Sequence, residues 1–154
     1  MSVTVKHPVM VVAVFLWIGF VCAISFMEAW LKFQAEGVTL AIGLSIGRLV
    51  FDALNKVEWA FALSMIISIL WSKDQLFQKT NTPYLIVLLL LILQTFWLLP
   101  TLDSRAQMLI AGKEVCASNT HFYYVGMETI KLVCLIVFGI KLFEHNPKSH
   151  GKHN

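Results

Sequence analysis

Four apolar runs alternate with short polar segments along the chain. They cover about residues 9–29, 50–71, 83–100 and 120–143, and a polar tail follows at 144–154. A helix rises about 1.5 Å per residue, so roughly 20 apolar residues cross a bilayer core of about 30 Å. Each run therefore predicts one membrane-spanning helix. The pattern as a whole predicts an all-α integral membrane protein, a four-transmembrane-helix bundle that forms a single domain.

A polar stripe precedes the second apolar run, in the stretch GRLVFDALNKVEW from Gly47 to Trp59. At about 100° per residue, Arg48, Asp52 and Asn55 project from one side of a helix. Glu58 lies at the flank of the same side. Lipid cannot solvate such a face, so we expect it to point at protein or water.

Two glycines, Gly43 and Gly47, stand four residues apart in the apolar segment before this stripe. Such spacing of small residues allows helices to approach closely in a membrane. Thr39 is a candidate N-cap for a helix that continues to Trp71. That helix would have about 33 residues and reach roughly 50 Å, which exceeds the bilayer. Either one helix projects or tilts, or two helices meet at the glycines, and the sequence leaves both open.

A second polar stripe lies in the fourth apolar run. His121, Tyr124, Glu128 and Lys131 fall within an arc of about 80° on a helix. Glu128 lies roughly 12 Å into the span, where an unpaired carboxylate is costly. Lys131, three residues further on, is its predicted partner. We expect Glu128 also to meet either Tyr124 and His121 or the Arg48/Asn55 face.

The polar residues are predicted to gather at one end of the bundle. Successive spans run in opposite directions, so the end of the first and third spans and the start of the second and fourth spans lie on the same side. The third span holds only Gln94 and Thr95 as polar residues and is expected to face lipid over much of its surface. The other spans bring their polar ends together in one half of the membrane. The candidate ligand-binding residues of this cluster are Glu28, Lys32, Arg48, Asp52, Asn55, Glu58, His121, Tyr124, Glu128 and Lys131.

Two interpretations of the cluster follow from the residues themselves. The pairs Glu28–Lys32, Arg48–Asp52 and Glu128–Lys131 have helical spacing, so the charges can neutralise one another and serve only to hold the bundle together. Alternatively, the cluster binds or passes a small polar ligand, a lipid head group or an ion, since ionisable groups inside a membrane often mark such sites. Under the first interpretation, the protein is a structural membrane subunit.

Two resemblances add to this. Arg48, Asn55 and Glu58 resemble the R-x6-N-x2-E motif of the MAPEG superfamily, four-helix membrane enzymes that use glutathione. This resemblance implies that the three residues contact glutathione. The wider pattern of a short first span, a glycine-bearing apolar segment, the sequence LDSRA after the third span and a His/Glu span is similar to small uncharacterised bacterial four-span inner-membrane proteins. That second likeness covers most of the chain and implies no activity.

The composition of the chain limits the classes of molecule that it is expected to bind. The chain of 154 residues is 58% hydrophobic and 14% charged, with a formal net charge of +3. No basic run is interleaved with aromatics, so nucleic acid is not a predicted partner. The lipid bilayer is the predicted partner, and a homo-oligomer or another membrane protein stays open. No cofactor is predicted, except glutathione under the MAPEG alternative, and the cysteines show no metal-binding spacing.

The distribution of basic residues predicts the orientation. Six lysines flank the end of the bundle that carries both termini: Lys6, Lys73, Lys79, Lys141, Lys148 and Lys152. The opposite end has Lys32, Arg105 and Lys113, with Arg48 and Lys56 added if the second span starts late. Excess basic residues favour the cytoplasmic side. We therefore predict an integral protein of the bacterial inner membrane with cytoplasmic N- and C-termini.

Overall fold

The computed structural model describes residues 8–71, 81–116 and 118–143. Within these residues, four helices are long and apolar enough to cross a membrane: α1 (Pro8–Gln34), α2 (Leu40–Trp71), α3 (Thr82–Ile110) and α4 (Thr120–Lys141). The all-α fold class is therefore confirmed. The length and apolarity of the four helices support the assignment to a membrane.

The helices are longer than the sequence predicted. The helical part of α1 continues past residue 29 to Gln34, and α2 runs without a break from Leu40 to Trp71. The glycines therefore do not divide the second span, and 32 residues form one helix. The predicted tail at 144–154 lies outside the described residues.

Helix α3 continues through Pro100, where the sequence predicted that the span would end and a connection would begin at Thr101. A proline has no backbone N–H to donate, which normally leaves a carbonyl in the preceding turn without its partner. The π-helical turn Gln94–Leu98 lies directly before this proline. Local adjustments of this kind let a membrane helix tolerate a proline, and α3 extends to Ile110.

The ends of the helices follow local rules. Gly37 and Gly112 adopt positive φ angles of 78° and 71°, in the turn before α2 and after the end of α3. Glycine adopts this conformation without a steric penalty. At Gly112 the amide of Lys113 donates to the carbonyl of Met108, which closes the helix end. The predicted N-cap is also present, because the amide of Ile42 donates to Thr39 Oγ1 at 3.4 Å.

Two helices contain a wider turn at the level of the polar cluster. Residues Cys22–Glu28 of α1 and Gln94–Leu98 of α3 are π-helical. π-Helical turns are rare in proteins, and those that occur often lie at functional sites. They change which side chains face inward, and the turn in α3 lets neighbouring residues Gln94 and Thr95 reach different helices.

The apolar core occupies the other end of the bundle. Val14, Met65, Tyr84 and Phe138 are fully buried there, one from each helix. The rings of Tyr84 and Phe138 stack with their centroids 5.5 Å apart. The hydroxyl of Tyr84 donates to the carbonyl oxygen of Ala62 at 2.6 Å. This end therefore holds the helices together by ordinary packing.

Large apolar side chains also cover the outer surface of the bundle. Leu49, Phe96 and Phe122 are 72%, 75% and 74% exposed. An isolated large apolar side chain on a surface is unremarkable, but an apolar coat around every helix is typical of a surface that faces lipid. The outer surface thus agrees with the assignment of four membrane-spanning helices.

Candidate functional site

A lysine between two glutamates lies at the centre of the polar cluster. Lys131 Nζ donates to Glu58 Oε1 at 2.6 Å and to Glu128 Oε1 at 3.0 Å. All three side chains are at most 2% exposed. The predicted pair Glu128–Lys131 is therefore present, and Glu58 of α2 joins it. We call these three residues the buried triad.

Two further side chains donate to the carboxylates of the triad. Trp17 Nε1 of α1 donates to Glu58 Oε1, and Gln94 Nε2 of α3 donates to Glu128 Oε1, both at 2.8 Å. All four helices therefore meet at the triad. Of the two further contacts expected for Glu128, the structure favours the one with Tyr124, which precedes it by one turn of α4 and interacts with it. Arg48 and Asn55 instead bond to Asp103 and Thr95 on α3.

Three buried polar atoms of the described residues have no hydrogen-bond partner: Ser25 Oγ, Gln94 Oε1 and Glu128 Oε2. A buried acceptor without a donor costs free energy, so each such atom in a native structure calls for an explanation. Two of the three belong to side chains joined by the Gln94–Glu128 hydrogen bond. The neighbourhood of Glu128 is therefore short of hydrogen-bond donors.

A second polar network joins α2 to α3 on the outer side of the triad. Thr95 Oγ1 accepts hydrogen bonds from Asn55 Nδ2 at 2.9 Å and from Trp59 Nε1 at 3.0 Å. The same hydroxyl donates to the carbonyl oxygen of Leu91 at 2.8 Å. Asn55 is buried in this arrangement. The polar stripe of α2 is thus held against α3 by a short, satisfied network.

A cavity of about 650 Å³ opens next to this network. It lies between the end of α1, the first half of α2, the second half of α3 and the start of α4. Its polar lining residues are Lys32, Ser45, Arg48, Asp52, Asn55, Thr95, Asp103, His121 and Tyr124. Its apolar lining includes Phe33, Leu44, Phe51, Leu99 and Leu102. The lining of the cavity is therefore part polar and part apolar, and we call its apolar side chains the apolar wall.

The charged residues at the cavity are arranged in pairs. Arg48 Nε donates to Asp103 Oδ1, and Lys32 Nζ donates to Glu28 Oε2 at 3.1 Å. The predicted pair Arg48–Asp52 is wrong. Arg48 reaches across to α3, and Asp52 instead accepts from Lys56 at 2.6 Å. Helical spacing predicted a pair within α2, whereas the long side chain of Arg48 bonds to the carboxylate of Asp103 on a neighbouring helix.

The two glycines of α2 provide the seat for the end of α1. A Cβ atom at Gly43 would overlap the ring of Phe33, and one at Gly47 would lie 2.9 Å from Lys32 Nζ. The ammonium group also lies 5.4 Å from the centroid of the Phe51 ring. The close approach predicted from the glycine spacing is therefore present. It brings a side-chain ammonium group and an aromatic ring against the face of α2.

The ten predicted site residues divide into two groups. Those that line the cavity are Lys32, Arg48, Asp52, Asn55, His121 and Tyr124. Those that lie elsewhere are Glu28, which pairs with Lys32, and the triad residues Glu58, Glu128 and Lys131. Tyr124 lies between the two groups, because it lines the cavity, is only 4% exposed and precedes Glu128 by one helical turn.

Four contributing residues were not among the predicted site residues: Trp17, Gln94, Thr95 and Asp103. The first three were assigned to apolar spans, where a single polar group gives no periodic pattern. The signal that could have found Gln94 and Thr95 is that they are the only polar residues of their run, since a span buries such groups where it can. Asp103 was assigned to a connection rather than to a helix.

Among residues 8–71, 81–116 and 118–143, no group of three or more His, Cys, Asp or Glu side chains is placed to hold a metal ion. The MAPEG resemblance implies one ligand for Arg48, Asn55 and Glu58. Arg48 and Asn55 line the cavity, whereas Glu58 lies behind it, bonded to Trp17 and Lys131. Glutathione binding stays a prediction.

Comparisons of the chain with protein-family models, with curated proteins and with solved structures gave no match.

Proposed function

We propose that this protein is a non-enzymatic membrane protein that binds the head group of a zwitterionic phospholipid in the cavity between α1, α2, α3 and α4. The observation that carries the proposal is one cavity of about 650 Å³ whose lining combines charged with apolar side chains. Ligand sites in proteins have this size and combine apolar walls with a few placed polar groups.

The charge balance of the cavity favours a head group that carries both signs. Two bases, Lys32 and Arg48, and two acids, Asp52 and Asp103, line it. A simple anion would meet as many carboxylates as cations. A head group with a phosphate and an ammonium group can instead address both kinds of side chain.

Arg48 is the predicted phosphate ligand. Within the described part of the chain its Nε engages Asp103, and a guanidinium group carries further N–H donors on its terminal nitrogens. Its side chain is 33% exposed, so it can be reached from the cavity. Asp103 holds the guanidinium group through Nε, which leaves the donors of the terminal nitrogens for a ligand.

The apolar wall provides a place for the first part of an acyl chain. Phe33, Leu44 and Leu102 belong to it and come from three different helices. Burial of acyl methylene groups contributes about 0.8 kcal/mol each in water-to-apolar transfer, but far less when the chain leaves lipid. The head group therefore supplies the selectivity, and the apolar wall supplies a compatible surface.

The membrane and its orientation are part of the proposal. We place the chain in a bacterial inner membrane with its termini in the cytoplasm, so that the cavity faces the opposite side. The support is the excess of lysines near the terminal end and the general preference of basic residues for the cytoplasmic side.

A glutathione-dependent enzyme is the second candidate, because two of the three residues of the MAPEG-like motif, Arg48 and Asn55, line the same cavity. Calorimetry with glutathione at millimolar concentration separates the two candidates. Binding that is lost in Arg48→Gln would favour the enzyme. If the wild-type protein gives no heat of binding with glutathione, the enzyme candidate is excluded.

Photo-crosslinking tests the lipid site. The full chain is reconstituted with phosphatidylethanolamine that carries a diazirine near its glycerol, and the labelled positions are mapped by peptide sequencing. We expect labels concentrated at Leu44 and Leu102 and reduced by Leu44→Trp. Labels spread over outward residues such as Phe96 and Phe122, and unchanged in the variant, would refute the site.

A further inference from the structure

The buried triad contains one more carboxylate than ammonium groups. Glu58, Glu128 and Lys131 are 1%, 0% and 0% exposed, and no other charged side chain of the described residues is as fully buried. With both glutamates ionised, the triad would carry a net charge of −1 in the interior of a helix bundle. An uncompensated charge there is costly, and proteins remove it by pairing or by binding a proton.

We propose that the buried triad binds one exchangeable proton, shared between Glu58 and Glu128, and that this proton enters from the cavity past Tyr124. Binding converts one carboxylate into a carboxylic acid, with the proton on a carboxyl oxygen. The triad then holds one carboxylate, one carboxylic acid and one ammonium group, and it is electrically neutral. The lipid proposal is not required for this.

The missing hydrogen-bond donor supports this assignment independently. Gln94 Oε1 and Glu128 Oε2 are buried acceptors without a donor. An ionised carboxylate can only accept, whereas a protonated one donates through its O–H. One proton on the glutamates therefore adds a donor in the place where acceptors are in excess.

The surroundings favour a proton over a metal cation. The side chains that face the triad are Trp17 from α1, Gln94 from α3 and Tyr124 from α4. The ammonium group of Lys131 already lies between the carboxylates at 2.6 and 3.0 Å. A metal cation bound between the carboxylates would repel this ammonium group. A proton on a carboxyl oxygen leaves the contacts of Lys131 with both glutamates in place.

Tyr124 provides the connection to water. It lines the cavity, and it lies one helical turn before Glu128 on the same face of α4. Its side chain is only 4% exposed, so most of it lies in the interior of the bundle, as the triad does. A hydroxyl group both donates and accepts, so Tyr124 can pass a proton between the cavity and the triad.

Infrared spectroscopy of the purified full-length protein at neutral pH tests the proposal. Exposed carboxyls are ionised there, so a carbonyl band of a protonated carboxylic acid reports a buried one. We expect this band in wild type, its loss in both Glu58→Gln and Glu128→Gln, and its persistence in the control Glu28→Gln. In Lys131→Met the band should about double, because neutrality then needs two protons.

Wild type without the band, or with a band that both glutamine variants retain, would overturn the proposal without reliance on the stability of any one variant. A band that grows when sodium and potassium are replaced by choline would show a metal cation site instead. For the entry route, the deuterium shift of the band should be slower in Tyr124→Phe than in Tyr123→Phe, whose side chain is exposed. Equal rates would exclude Tyr124 as the route.

Discussion

The ammonium group of Lys131 lies 2.6 Å from Oε1 of Glu58, although 73 residues separate them in the sequence. This contact joins α4 to α2 across the interior of the bundle. The same nitrogen also contacts Glu128, its neighbour on α4, at 3.0 Å. Lys131 is therefore the cation for two buried carboxylates, and the stability of the polar end depends on it more than on either glutamate.

Replacement of Lys131 should cost more than replacement of Glu128. Lys131→Met removes the cation that both glutamates contact, so that the remaining carboxylate must bind a second proton, and loss of one partner of a buried ion pair costs on the order of 3–5 kcal/mol. Glu128→Gln keeps the Glu58–Lys131 pair and a side chain of the same size, so its cost should be nearer about 1 kcal/mol. Denaturant unfolding in detergent measures both. Equal losses, or a larger loss for Glu128→Gln, would contradict the central position of Lys131.

The sequence predicted which residues gather but not which of them bond. Helical spacing identified Glu28–Lys32 and Glu128–Lys131, because each pair lies on one helix and its geometry is fixed by the helix itself. The partners of Arg48 and Glu58 depend on the rotation and depth of neighbouring helices. Periodicity within one segment carries no information on those quantities, so contacts between helices could not be predicted.

Substitution of Gly43 should differ from substitution of Gly126. Both lie inside helices, where alanine is favoured over glycine by about 0.5–1 kcal/mol. A Cβ at Gly126 meets nothing within 4 Å, so Gly126→Ala should raise the free energy of unfolding by that amount. At Gly43 the new atom would displace the Phe33 ring, so Gly43→Ala should show no gain or a loss. An equal gain for both variants, measured by denaturant unfolding, would argue against the glycine seat.

The extents of the helices show a second limit of sequence analysis. Hydropathy located all four helices, because a long apolar run has few alternatives in a membrane. It did not show that α3 passes Pro100, since the π-helical turn Gln94–Leu98 before the proline leaves no trace in hydropathy. Asp103 was consequently assigned to a connection, and the partner of Arg48 was missed.

Orientation in the membrane can be checked with the native cysteines. Cys116 is exposed in the segment that joins α3 to α4, whereas Cys22 and Cys134 lie within α1 and α4. If the termini are cytoplasmic, a membrane-impermeant thiol reagent added to intact cells should label Cys116 and not a cysteine introduced by Lys148→Cys. The variant Cys116→Ser measures the background labelling of the other cysteines. Labelling of the introduced cysteine alone would reverse the orientation and leave the one-ended cluster unchanged.

Native mass spectrometry of protein extracted with its surrounding lipid tests the phospholipid site most directly. Leu102 lines the cavity on α3, whereas Leu109 lies on the same helix outside it and is 40% exposed. Leu102→Trp should fill the cavity, and Leu109→Trp is the matched control. We predict one retained zwitterionic phospholipid per chain in wild type and in Leu109→Trp, and its loss in Leu102→Trp. Retention that is the same in all three proteins, or none in wild type, would contradict the proposal.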